Sequence, residues 1–236
     1  QTEEVIFKKD TFKICKIRDI ETNNEFGAYM SMLKVKSISK DDIENLSNDL
    51  KIISQFKHPS LLKFIGFSLI DFKKQRKPVI ITELEKMNKK ISGWDNTKKL
   101  INIYGIASGM AYMHSHGIIH RCLSPSNVYL DDILCPKIGD FGLIARFTDA
   151  NNMTHQSMSG AKGTPIYSAP EVLEFNEYSK SSDVYSFSLL IYEILTNEKP
   201  FIEINNTSQI YNKIVIKGER PVIKKDIPVK YKELIE

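Results

Sequence analysis

The side chains able to do chemistry are concentrated in two short stretches. Residues 118–127 read I-I-H-R-C-L-S-P-S-N, which places His120, Arg121, Cys122, Ser124 and Asn127 close together, and Asp140-Phe141-Gly142 follows. A carboxylate and an amide carbonyl are hard oxygen donors, a guanidinium grips anions bidentately, and a thiol is a weak acid. The three cysteines, Cys15, Cys122 and Cys135, are irregularly spaced. They match neither a disulfide framework nor a zinc site, which points to a reducing compartment.

The elements that position these residues follow from hydrophobic period. The chain has 236 residues, 42% hydrophobic and 26% charged, with a formal net charge of +4. That is an ordinary globular balance, and the length suffices for a core without disulfides. The basic cluster Lys73, Lys74, Arg76 and Lys77 reads as a solvated loop rather than a nucleic-acid or membrane patch. No apolar run reaches the roughly 20 residues of a membrane span, and no secretory signal is present. The chain begins at Gln1, which suggests a piece of a longer protein.

Residues 1–38 alternate in short runs, with Phe12, Ile14 and Ile17, a turn at Thr22 to Glu25, and Tyr29 to Val35. This pattern predicts antiparallel strands and a hairpin. Over 41–56 the period becomes helical, with Ile43, Leu46, Leu50 and Ile53 on one face and Ser39 with Asp42 as a cap. Two apolar runs follow, Leu61 to Leu69 and Val79 to Ile81. From about 97 the pattern is helical again, with Leu100, Ile101, Tyr104, Ala107, Ala111 and His114 lining a stripe. Residues 183–195 predict a second, more apolar helix. Between them, 139–165 has no period and reads as a long functional loop.

Six segments in order resemble the protein kinases, of the tyrosine-kinase-like type with mostly serine/threonine specificity. They are the catalytic loop and D-F-G, F-K-H-P-S-L-L-K-F-I-G-F at 56–67, P-V-I-I-T-E-L at 78–84, G-T-P-I-Y-S-A-P-E at 163–171, and S-D-V-Y-S-F-S-L-L-I-Y-E-I-L at 182–195. The resemblance implies an α+β bilobal fold over 1–236. A β-rich N-lobe with one helix spans 1–84, an α-helical C-lobe spans 85–236, and the activation segment is 140–171. The family usually continues for two helices beyond G-E-R-P at 218–221, so the C-terminal helices are expected to be truncated. Those helices normally supply an arginine for Glu171.

The resemblance also implies ATP and Mg²⁺ as cofactors. Asn127 and Asp140 match the metal ligands. Thr82, Glu83 and Glu85 match the strand end and hinge at the nucleotide, and Tyr129 stands where a leucine underlies the adenine. Several matched positions depart from the family. Cys122 occupies the place of the catalytic Asp, and a thiol does not reproduce a carboxylate that accepts the hydroxyl proton. Ser124 replaces a lysine that contacts the transferred phosphate. In F-G-A-Y-M-S-M-L-K-V-K the lysine of A-x-K falls on Met30 or Ser31, with Lys36 as a substitute, and Asp49 stands at its glutamate partner. Lys8 to Lys13, where a glycine-rich loop covers the phosphates, contains no glycine.

His120, Phe141, Ile53 and Phe64 match the apolar column that links the lobes. Arg121 matches the arginine that pairs with a phosphorylated activation segment, where Thr148, Thr154, Ser157, Ser159 and Thr164 are candidate acceptors. The chain is thus expected to be a pseudokinase, a cytoplasmic scaffold or allosteric regulator of a protein partner such as another kinase. The alternative is a weak serine/threonine kinase. A third reading retains nucleotide as a structural ligand.

Overall fold

The computed structural model describes residues 4–8, 12–32, 40–84, 94–141, 143, 165–204, 206–223 and 227–236. Lys36, Glu85, Ser39, the Asp42 side chain and the five candidate acceptors lie outside the described residues.

Five strands form one antiparallel sheet: β1 (Glu4–Lys8), β2 (Phe12–Arg18), β3 (Glu25–Ser31), β4 (Phe64–Ser68) and β5 (Val79–Glu83), in the order β1-β2-β3-β5-β4. Alternation on the strands gives the sheet two buried faces. Phe12, Ile14, Tyr29 and Ile80 join the main core, while Cys15, Ala28, Met30 and Val79 form a separate cluster on the other face. The β2–β3 turn is earlier than its sequence reading, because Asp19 nucleates it. Its Oδ1 accepts from the backbone N–H groups of Glu21 and Thr22 at 3.0 and 2.7 Å.

Helix α1 (Lys40–Ile53) is inserted between β3 and β4. Leu46 and Ile53 are buried, but Ile43 is 49% exposed, so the apolar face is narrower than the sequence reading. Ile53 and Phe141 are fully buried, and the Phe141 ring meets the edges of Phe56 and Phe64 at centroid distances of 6.3 and 6.4 Å. These contacts join the sheet half to the helical half.

The helical half starts with α2 (Asn96–Ser115), capped by Asp95, whose Oδ1 accepts from the Lys98 N–H at 2.8 Å. The stripe read from the sequence is not the buried face. Leu100, Ile101 and Tyr104 are 49%, 45% and 76% exposed, and the buried side carries Asn102, Ile103, Gly105, Ile106, Gly109, Met110 and Met113. Small residues select that face. A Cβ on Gly105 would lie 2.5 Å from Pro136 Cγ, and one on Gly109 would lie 3.0 Å from Ile138 Cδ1. The helix therefore approaches the ribbon of β6 (Val128–Leu130) and β7 (Pro136–Ile138) at a distance only glycine allows.

Helices α3 (Pro170–Phe175), α4 (Lys180–Thr196), α5 (Thr207–Tyr211) and α6 (Val229–Ile235) complete the described chain, with a π turn at Asn212–Ile216. A capping box between Ser179 and Ser182 starts α4, whose Leu189, Leu190, Ile191 and Ile194 are buried. Among the described residues, no helix is long and apolar enough to cross a membrane.

Candidate active site

The loop at 120–127 is held from below by one carboxylate. Asp183 of α4, 1% exposed, accepts from the backbone N–H groups of His120 and Arg121 at 2.8 Å each. His114 Nε2 lies 2.8 Å from the same side chain. This grip holds Arg121 at φ 68°, a left-handed conformation that costs a non-glycine residue about 1–3 kcal/mol. Asp140 and Phe141 are also left-handed, at φ 68° and 51°. Burial of Phe141 and a hydrogen bond from His120 Nε2 to the Gly139 carbonyl, at 3.0 Å, tie this second strained turn to the loop.

Asn127, Cys122 and Asp140 meet in a hydrogen-bonded group. The Asn127 amide N donates to the Cys122 carbonyl at 2.9 Å and lies 3.3 Å from its sulfur. The Cys122 thiol donates to Asp140 Oδ2 at 2.9 Å. This leaves Asn127 Oδ1 directed at the sheet, where the Tyr29 hydroxyl donates to it at 3.3 Å. Burial, then the nearby Asp140 charge, push the Tyr29 phenol well above its ordinary range, so it stays protonated and a donor. Tyr129 is raised by the same causes.

Two residues that the sequence reading did not single out shape this site. On β3 the side chain that lines the cleft is Tyr29, whereas the spacing to the helix pointed to Met30 or Ser31. Gly27 pairs with Thr82 and lines the cleft, so its alternate neighbour Tyr29 faces the cleft in the A-x-K spacing. Met30 lies on the opposite face, against Cys15, Ala28 and Val79. The second residue is Phe12. Ile14 lines the cleft at the valine position of G-x-G-x-x-G-x-V, so the spacing puts Phe7, Lys9 and Phe12 at the three glycines. Phe12 stacks on Tyr29 with centroids 4.4 Å apart and planes at 16°, and Phe7 is 5.8 Å from Phe12. The signal was available in the F-G-A-Y register, once Gly27 rather than Ala28 is taken as the small residue of A-x-K.

The other matched residues divide between cleft and scaffold. Thr82 is buried and lines the cleft, with its hydroxyl donating to the Glu83 carbonyl at 2.9 Å. Glu83 is a scaffold residue as well as a cleft wall. Its Oε1 accepts from the Lys63 N–H at 2.9 Å and pairs with Lys137 Nζ at 3.1 Å, fastening β5 to β7. Tyr129 is 5% exposed and lies across Gly139, where a Cβ would be 2.8 Å from its ring. Ser124 is buried, and Asp49 is half-buried on α1.

The free space among Ile14, Tyr29, Leu62, Ile80, Leu84, Tyr129 and Asp140 is about 20 Å³. That is room for about one water, against roughly 300–1,000 Å³ for a pocket that holds a drug-sized ligand. Asn127 Oδ1 and the Asp140 carboxylate are hard oxygens of the right kind for Mg²⁺. These two residues would hold the ion; here Asn127 Oδ1 accepts from the Tyr29 hydroxyl and Asp140 Oδ2 from the Cys122 thiol. Among the described residues, no cluster of three or more His, Cys, Asp or Glu side chains is suited to a metal.

Arg121 is half-buried with its guanidinium 5.5 Å from the Tyr178 ring centroid. Its Nε has no hydrogen-bond partner among the described residues.

Comparison with known proteins gives one family. The model for protein tyrosine and serine/threonine kinase matches residues 14–236. The dual specificity protein kinases shkC and shkA of Dictyostelium discoideum are each 30% identical, over 88% and 94% of this chain and 42% and 41% of their own. Dual specificity protein kinase shkD of the same organism is 31% identical over 85% of this chain and 27% of its own. The chain spans 11% to 42% of the length of the curated relatives it matches.

Proposed function

Because the chain belongs to the protein tyrosine and serine/threonine kinase family, we propose that it is a degenerate, tyrosine-kinase-like member that signals by binding a protein partner and is impaired in phosphoryl transfer. The observation that carries this reading is Cys122. Its thiol stands where the acceptor hydroxyl would need a carboxylate, and it points its hydrogen at Asp140. Loss of a general base costs about 10²- to 10⁴-fold in rate. Ser124 and Tyr29 support the same reading, since each puts a neutral side chain where the family pattern carries a lysine.

What such a domain keeps is a rigid frame. Asp183 holds the His120–Arg121 turn through two backbone hydrogen bonds, and Phe141 is buried beside it. Within this reading the N-lobe of 1–84 and the C-lobe of 85–236 form one signalling unit. Arg121 receives a phosphorylated residue of the activation segment, placed there by another enzyme. The identity to dual specificity kinases favours the second reading, a weak ATP- and Mg²⁺-dependent kinase.

A transfer assay decides between them. Radiolabelled ATP with Mg²⁺ is incubated with the protein and with general acceptor proteins, beside an Asp140→Ala control. The expected result is no label above the control. Label that depends on Asp140 would overturn the proposal and establish the weak kinase.

A further inference from the structure

We propose that the aromatic column of Phe7, Phe12 and Tyr29 is a built-in substitute for the nucleotide, filling the phosphate end of the cleft and joining the sheet to the catalytic loop. This deepens the reading above and rests on it.

In a working kinase the phosphates and their metal ions connect a glycine-rich loop and a strand lysine to the oxygen ligands of the helical half. Here each part of that connection is made of protein. Phe7 and Phe12 stand at glycine positions, and Tyr29 stands at the lysine position. The rings run in contact, 5.8 Å from Phe7 to Phe12 and 4.4 Å from Phe12 to Tyr29. At the far end the Tyr29 hydroxyl reaches Asn127 Oδ1, a residue 98 positions away in the chain. Asn127 in turn is bonded to Cys122, and Cys122 to Asp140.

The column thus spans the same gap as a phosphate chain and ends on the same oxygen. Tyr29 also walls the narrow space beside Ile14, Leu62, Ile80, Tyr129 and Asp140, of about 20 Å³, so in this proposal the rings take the place of a triphosphate. Nucleotide and column are mutually exclusive.

The experiment compares wild type, Tyr29→Phe, and the double variant Phe12→Gly with Tyr29→Lys. Binding of a fluorescent ATP analogue with Mg²⁺ is measured by anisotropy, and folding is checked by circular dichroism. The expected result is no saturable binding by wild type and a gain of at least about tenfold in affinity in the double variant. Tyr29→Phe keeps the stack and removes only the hydroxyl. It is expected to show faster amide hydrogen exchange across 120–127 with unchanged secondary structure.

Wild-type binding as tight as that of the folded double variant overturns the inference, and so does a folded double variant that binds nothing. If the double variant does not fold, Tyr29→Phe decides alone, and unchanged protection at 120–127 overturns the inference. Failure here is separable from failure of the functional reading. Nucleotide bound by wild type without transfer removes only the column's role, whereas Asp140-dependent transfer removes the functional reading.

Discussion

Gly139→Ala tests how tightly the floor of the cleft is fixed. Gly139 precedes Asp140, and its backbone is committed on both sides. Its N–H donates to the Asn127 carbonyl at 2.9 Å, and its carbonyl lies 3.0 Å from His120 Nε2. An added Cβ would meet Leu62 Cδ1 at 2.7 Å and Tyr129 Cε2 at 2.8 Å. Leu62 and Tyr129 are 4% and 5% exposed, so neither side chain has open space to move into. Overpacking of this kind costs typically about 1–3 kcal/mol. A central cost of about 2 kcal/mol corresponds to a fall in Tm of roughly 4–8 °C for a domain of this size. Urea denaturation of wild type, Gly139→Ala, Tyr129→Leu and the double variant gives the coupling. Trimming Tyr129 removes one of the two clashes, so the cost of Gly139→Ala should shrink by about 1 kcal/mol in the Tyr129→Leu background. A loss below about 0.5 kcal/mol, or one unaltered by Tyr129→Leu, would show that the ring does not lie across Gly139 as described.

Two further outcomes follow from buried carboxylates. Asp183→Asn leaves one acceptor for the N–H groups of His120 and Arg121. Hydrogen bonds to a charged group are worth about 1.5–3 kcal/mol each, so losing one of the two predicts a loss of at least about 1.5 kcal/mol by urea denaturation. A loss under about 1 kcal/mol would mean that the catalytic loop is held by something else. Tyr167→Phe removes the hydroxyl that donates to Glu193. Burial raises the Glu193 carboxyl above its ordinary 4.5, and the Tyr167 hydroxyl opposes that rise. A raised folded value means the carboxyl favours the fold below 4.5 and loses that contribution as pH rises through the folded value. The variant should therefore be destabilised by about 1.5–3 kcal/mol near pH 7 and by less near pH 4, where Glu193 is protonated. An equal deficit at both pH values would refute the assignment.

How much was legible in the sequence varies by element, and the reasons are physical. The antiparallel strands of the first third, α1, α4 and the order of the kinase-like segments follow from local period and residue type, because side-chain alternation is set by backbone geometry, although β3 lies at Glu25–Ser31 rather than at Tyr29 to Val35. The residues at Cys122 and Ser124 were equally plain, since the loop from His120 to Asn127 is read directly from the sequence. The buried face of α2 was not. Large apolar residues suggested Leu100, Ile101 and Tyr104, but the face was chosen by Gly105 and Gly109 lying against Pro136 and Ile138. A helix wheel carries no information about what approaches it.

The lysine position escaped for a related reason. A shift of one residue along a strand moves a side chain to the other face, and the distance to α1 alone does not fix that register. Pairing of β3 with β5 does, setting Gly27 opposite Thr82 and turning Tyr29 inward and Met30 outward. Sequence alone determined that a cysteine follows His120-Arg121 and that no glycine lies between Lys8 and Lys13. Only tertiary structure decided what gathers around them, because Phe12, Tyr29, Asn127 and Asp140 are far apart in the chain and meet only when the sheet closes on the loop.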